Sequence, residues 1–86
     1  MRRRSRPQRR IADELLVAGV ADGTPVLLNP VATILWDALE GWQDEHELTD
    51  VLARRFPDVD QANRARAVAD ALALLDEEDL LEHAGP

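Results

Sequence analysis

Cysteine is absent from this 86-residue chain. That excludes disulfides and thiolate metal sites, and it suits a reducing compartment such as the cytoplasm. Lysine and tyrosine are absent too. Reliance on Arg alone, alongside abundant Ala, is read as genome composition rather than function. No apolar run approaches the roughly 18 residues that a membrane span needs. The basic N-terminus lacks the apolar stretch that would make it a secretory signal. Histidine is nearly missing: His46 and His83 stand alone, outside any metal-binding spacing. Ser5, Thr24, Thr33 and Thr49 have no nucleophile-elbow context, and the four glycines are too scattered to cradle a phosphate. The acidic run Asp76-Glu77-Glu78-Asp79 lacks the alternation of a calcium loop. No catalytic constellation can be assembled, so a non-enzymatic role without metal or cofactor is expected.

Charge, by contrast, is plentiful and unevenly divided. Arg2, Arg3, Arg4, Arg6, Arg9 and Arg10 give the first ten residues a charge of +6. The rest of the chain sets four Arg against 17 acids, a net −13. A basic tail on an acidic body invites a nucleic-acid reading. A flexible tail that aids solubility, or folds back on the acidic body, is the favoured alternative.

Apolar content of 45% suits one small globular domain. Residues 1 to 8, charged and broken by Pro7, are expected to be a disordered Arg-rich tail. Residues 9 to 82 form the expected domain, and 83 to 86 a second tail. Arg9 to Ala12 is a candidate first strand. Glu14 to Val20 and Thr24 to Leu28 are stronger candidates, joined by Ala21-Asp22-Gly23, whose Asp-Gly is a hairpin signal. Asn29 is placed to cap a helix that starts with Pro30, where the missing N–H costs nothing. That helix is predicted to reach Glu40, with Val31, Ile34, Leu35, Ala38 and Leu39 inward and Gly41 as its stop. A second helix is predicted from Asp44 to Arg55 on a Leu48, Val51, Leu52 stripe, ended by Phe56-Pro57. A third is predicted from the cap Asp60 to Glu78, with Ala65, Val68, Leu72 and Leu75 inward. Leu80 and Leu81 then close the chain against the core. The fold class is α+β: a two- or three-stranded antiparallel sheet followed by three helices, a winged helix-turn-helix-like order with the wing first.

Winged helices read DNA with a helix and touch phosphate with the wing. Here the third helix with its caps, Asp60 to Asp79, sets Arg64 and Arg66 against six acids. The hairpin from Asp13 to Asn29 has three acids and no Arg. Both elements would repel a duplex, so only the Arg tail favours DNA. Nucleic acid is therefore disfavoured, and a DNA-binding regulator using that tail is the second reading. A small subunit that stabilises a larger enzyme through helix contacts is the third.

The strand-to-helix junction Leu27-Leu28-Asn29-Pro30 carries more. The pattern Asp22-Gly23 … Leu28-Asn29-Pro30-x-Ala32-x-x-Leu35-Trp36-x-x-Leu39-x-Gly41 resembles the PqqD-like peptide chaperones, also called RiPP recognition elements. RiPPs are ribosomally made, post-translationally modified peptides. The likeness continues through Glu47-Leu48-x-x-Val51-Leu52-x-x-Arg55-Phe56-Pro57-Asp58-Val59, the Val68-x-x-x-Leu72-x-x-Leu75 helix and Leu80-Leu81. The chain departs from the pattern at Ala67, where an acid is common, and at Asp79, where Gly is frequent.

The resemblance implies a three-stranded sheet on three helices and a non-catalytic adaptor. Such a protein binds the leader of a precursor peptide by strand addition beside the third helix. It presents the leader to a modifying enzyme or a leader peptidase, as in lasso-peptide systems. An open strand edge suits that role on physical grounds, because its unpaired N–H and C=O groups accept a peptide as a further strand. Carried over by position, Val26, Leu27 and Leu28 would form the pairing strand. Arg64, Ala67, Val68, Ala71 and Leu74 would form the helical wall. Trp36 is expected in the core.

Overall fold

The computed structural model describes residues 1–20 and 23–84. The strands are β1 (Arg2–Arg3), β2 (Gln8–Ile11), β3 (Glu14–Ala18), β4 (Pro25–Leu28) and β5 (Leu81–Glu82). The helices, all between β4 and β5, are α1 (Pro30–Ala38), α2 (Glu45–Arg55) and α3 (Gln61–Glu77). Strands β2, β3 and β4 form an antiparallel sheet in that order, with Gln8 opposite Val17 and Leu15 opposite Leu28. The α+β class and the strands-then-helices order agree with the sequence expectation, with three strands rather than two in the main sheet. Of the expected hairpin turn, Ala21 and Asp22 lie outside the described residues. Gly23 has the positive φ, 77°, that its place there requires.

Period-two alternation puts Leu15, Val17, Val26 and Leu28 on the inner sheet face, all buried. Against them pack Ala32, Leu35, Trp36 and Leu39 from the α1 region, Leu48 and Leu52 from α2, and Val68, Ala71, Leu72 and Leu75 from α3. Each fully buried Leu contributes roughly 1.5–3 kcal/mol relative to exposure. Trp36 is the largest fully buried side chain, and its indole N–H donates to Gln8 Oε1 at 2.8 Å. Ala65, expected to face inward, is exposed. Ala71 takes the core-facing place, so the buried stripe lies toward the middle and end of the helix.

The caps work as their residue types dictate. Asn29 Oδ1 accepts from the Ala32 amide at 2.8 Å, and Pro30 opens α1. Asp44 and Glu47 form a reciprocal capping box on α2. Asp60 caps α3. Helix α1 ends at Ala38 with Leu39 as its cap, before the expected stop at Gly41. At the end of α3 the Leu80 amide reaches Leu75 O and the Asp79 amide reaches Asp76 O, a Schellman closure. Asp79 therefore occupies the left-handed position, φ 56°, that favours Gly.

Residues 1 to 8 depart from the expected disordered tail. Arg2 and Arg3 pair with Glu82 and Leu81, and the Arg3 and Arg4 amides donate to Leu39 O and Leu80 O. The cause is electrostatic as well as geometric, because the body offers acids and carbonyls where the arginines land. Arg2 meets Glu82 at 2.7 Å and stacks 4.7 Å from the Trp42 ring centroid. Arg3 donates to Trp36 O, Arg4 to Asp79, Arg6 to the Ala18 and Gly19 carbonyls, and Arg10 to Asp37. The segment is a strap across one flank. No helix among the described residues is long and apolar enough to cross a membrane.

Candidate functional site

The antiparallel ladder decides which backbone groups of β4 are committed. The Gly19 amide donates to Thr24 O, which marks Gly19 and Thr24 as a hydrogen-bonded pair. Such pairs alternate along an antiparallel ladder. Val26 with Val17 and Leu28 with Leu15 therefore exchange the ladder bonds, and Leu27 with Leu16 does not. The Leu27 N–H and C=O are directed to the outer edge of β4, with the Pro25 carbonyl beside them. No strand among the described residues pairs with that edge. The Leu27 side chain is 54% exposed on the outer sheet face, while Val26 and Leu28 point into the core.

Just past the end of β4 lies a cleft of about 240 Å³ between the start of α1 and the middle of α3. Asn29, Val31 and Ala32 form one wall; Ala67, Asp70, Ala71 and Leu74 form the other. These α3 positions follow the i, i+3, i+4, i+7 spacing of one helix face. The walls are apolar and small except for Asn29 and Asp70. Asp70 is the only charged residue among them, and it makes no ion pair among the described residues. The arrangement can hydrogen-bond an extended backbone at β4, seat compact apolar side chains in the cleft and select a cation opposite Asp70.

The positions singled out from sequence separate into three groups. Leu27 supplies the open edge, and Ala67, Ala71 and Leu74 share the cleft wall. Val26, Leu28 and Val68 are core residues whose side chains are enclosed. Arg64 turns away from the cleft: its guanidinium donates to Phe56 O at 3.2 Å and to Gln61 Oε1 at 3.3 Å, closing the α2–α3 turn. The sequence reading missed Asp70, Val31, Ala32 and the cleft-facing side of Asn29. Asp70 was findable, since it falls three residues after Ala67 and four before Leu74.

The residues weighed for chemistry are dispersed. Thr33 is buried with its hydroxyl toward Leu28 O, and Thr49 bonds Glu45 O within α2. His46 is solvated near Asp50, and His83 meets Asp76 at 2.8 Å. No group of three His, Cys, Asp or Glu that could hold a metal occurs among the described residues.

The family model for coenzyme PQQ synthesis protein D (PqqD) matches residues 11–81. Among solved structures, the chain is similar to one described as TbiB1 in complex with the TbiA(beta) leader peptide. The TM-score is 0.80 and the identity 25%, over 100% of both chains. No curated protein matches the sequence.

Proposed function

The chain belongs to the PqqD family, and on that premise we propose that it is a non-catalytic adaptor. It binds the leader of a ribosomally made precursor peptide by strand addition and presents it to a modifying enzyme or leader peptidase. The observation that carries this reading is the open edge at Leu27 lying next to the α1–α3 cleft. Main-chain bonds to β4 supply affinity that any extended peptide can use, and the cleft supplies selectivity. Similarity to a protein solved in complex with a leader peptide supports leader binding. A lasso-type system is the favoured setting, in the cytoplasm, which suits a chain without cysteine.

In this reading Leu27 pairs with the leader through its backbone, and Ala67, Ala71 and Leu74 receive the leader's inward side chains. Val26, Leu28 and Val68 hold the edge and wall in place from the core side. Asp70 favours a leader with a Lys or Arg near its apolar anchor, in keeping with an acidic body. The DNA-binding alternative has no support: five of the six arginines in the first ten residues are engaged by acids and carbonyls of the body.

Calorimetric titration with the leader of a precursor encoded beside this protein tests the proposal. Saturable one-to-one binding is expected, with slowed amide exchange at Leu27. Absence of binding to every neighbouring precursor would sink it.

A further inference from the structure

A second surface lies on the other side of α1. The β2–β3 turn, the outward face of α1 and the end of α2 enclose an open groove of about 740 Å³. Its apolar surface comes from the half-buried Ile34 and Val51 and from Phe56, which is 37% exposed. Arg10, Arg54 and Arg55 stand around it, with Asp13 and Asp37 as the only acids. Arg10 is occupied by Asp37 at 3.2 Å, whereas Arg54 and Arg55 make no ion pair among the described residues. Only four arginines lie beyond residue 10, against 17 acids, and two of them are here. Both cations also suit the C-terminal end of α2 electrostatically, but helix polarity does not account for the exposed Phe56 that lines the groove beside them.

We propose that this groove is a second docking site, which takes an acidic segment of a partner protein anchored by a bulky apolar side chain. The charge argues for that occupant: acidic side chains gain two unpaired guanidinium groups here, while the acidic remainder of the body repels them. The inference builds on the adaptor reading, because a protein that presents a peptide must hold its enzyme without covering the peptide's own edge. None of the groove's lining residues belongs to the β4 edge or to the α3 wall.

The test uses the full ¹⁵N-labelled chain and a short synthetic peptide of alternating Glu and Trp. Saturable shifts are expected at the Ile34, Val51 and Phe56 amides, with Leu27 and Ala71 unmoved. Replacing both arginines (Arg54→Gln with Arg55→Gln) should weaken binding about tenfold, and Phe56→Ser should weaken it independently. Peptides with Lys for Glu, or Ala for Trp, should not bind. The proposal is overturned by an absence of saturable shifts or by equal binding of the Lys peptide. Shifts that depend on protein concentration alone, marking a second copy in the groove, or displacement by a duplex oligonucleotide would also overturn it. Leader titration of the same sample reports separately on β4. Its failure with groove binding intact would remove the adaptor reading and leave the groove.

Discussion

The main sheet has two outer edges, and they differ in everything except backbone chemistry. On β2 the Ala18 amide donates to Pro7 O, so alternation turns the Gln8 and Arg10 backbone groups outward. On β4 the same rule turns out Leu27. The β2 edge carries Arg9 and Arg10, the charged composition that discourages further pairing. Its inward side chains are engaged as well, Gln8 by Trp36 and Arg10 by Asp37. The β4 edge is apolar and leads directly to a cleft. Hydrogen-bonding capacity is therefore common to both edges, and the adaptor proposal assigns the site to the one with a wall beside it.

Matched proline substitutions are the most severe way to break that comparison. Proline at an outward-facing edge position removes an N–H without removing a ladder bond. Leu27→Pro should leave the fold intact and cost the leader one main-chain bond plus a steric clash. A loss of roughly 1–3 kcal/mol is expected, about fivefold to 150-fold in Kd. Arg10→Pro should leave affinity unchanged and lose only the Asp37 pair. Calorimetry on the two variants checks this; equal losses would mean that β4 is not the working edge.

The next largest effect falls on the β2 flank. Deleting Arg2 to Ser5 removes the β1–β5 pairing and the contacts to Glu82 and Asp79. Exposed ion pairs contribute little each, so most of the loss comes from the ordered backbone bonds and the uncovered end of the core. A destabilisation of about 1–2 kcal/mol is expected in urea unfolding, with leader affinity preserved. Loss of binding in a variant that is still folded would join the strap to the site and erase the contrast between the flanks.

That strap was also the least legible part of the chain. Six arginines, a proline and few apolar residues read locally as disorder, and no local rule records that Glu82, Asp79 and the Trp36 carbonyl wait across the fold. The helices and caps were legible because they depend on neighbours a few residues away. Asn29, Asp44 and Asp60 all cap as their side chains suggest. The edge was legible as well, since the strand before Asn29-Pro30 is followed by helical patterns and not by another hairpin strand that could pair beside it. The cleft was legible only in part. Spacing places Ala67, Ala71 and Leu74 together, but it groups Arg64 with them as well, whereas the α2–α3 turn supplies the acceptors of that guanidinium. The opposite wall from α1 depends on how two helices cross, which periodicity does not encode.

A smaller effect sharpens the selectivity of the β4 side. Asp70→Asn removes the cleft's only charge and keeps its shape. A leader with a basic residue at the anchor should bind about threefold to fivefold more weakly, and raised salt should narrow the difference from the unaltered protein. A leader neutral at that position should not discriminate. If both leaders bind equally well to both proteins, Asp70 lies outside the contact and selectivity comes from shape alone.

The smallest effect concerns the turn that joins the charged edge strand to the centre of the sheet. Ile11 and Glu14 close a two-residue turn in which Ala12 has φ 55°. A Cβ in that region clashes with the following carbonyl at a cost of about 1 kcal/mol, which Gly avoids. Ala12→Gly should therefore stabilise the fold by about 0.5 kcal/mol after the entropy of a more flexible unfolded chain is charged against it. Asp79→Gly relieves the same kind of strain at the end of α3, but it also removes the carboxylate that meets Arg4 at 3.2 Å. The net gain there should be smaller. Urea unfolding of the two variants and their double mutant separates these contributions, and the turn, which joins β2 to β3 and supplies no residue to β4 or its cleft, should stabilise the sheet without changing leader affinity.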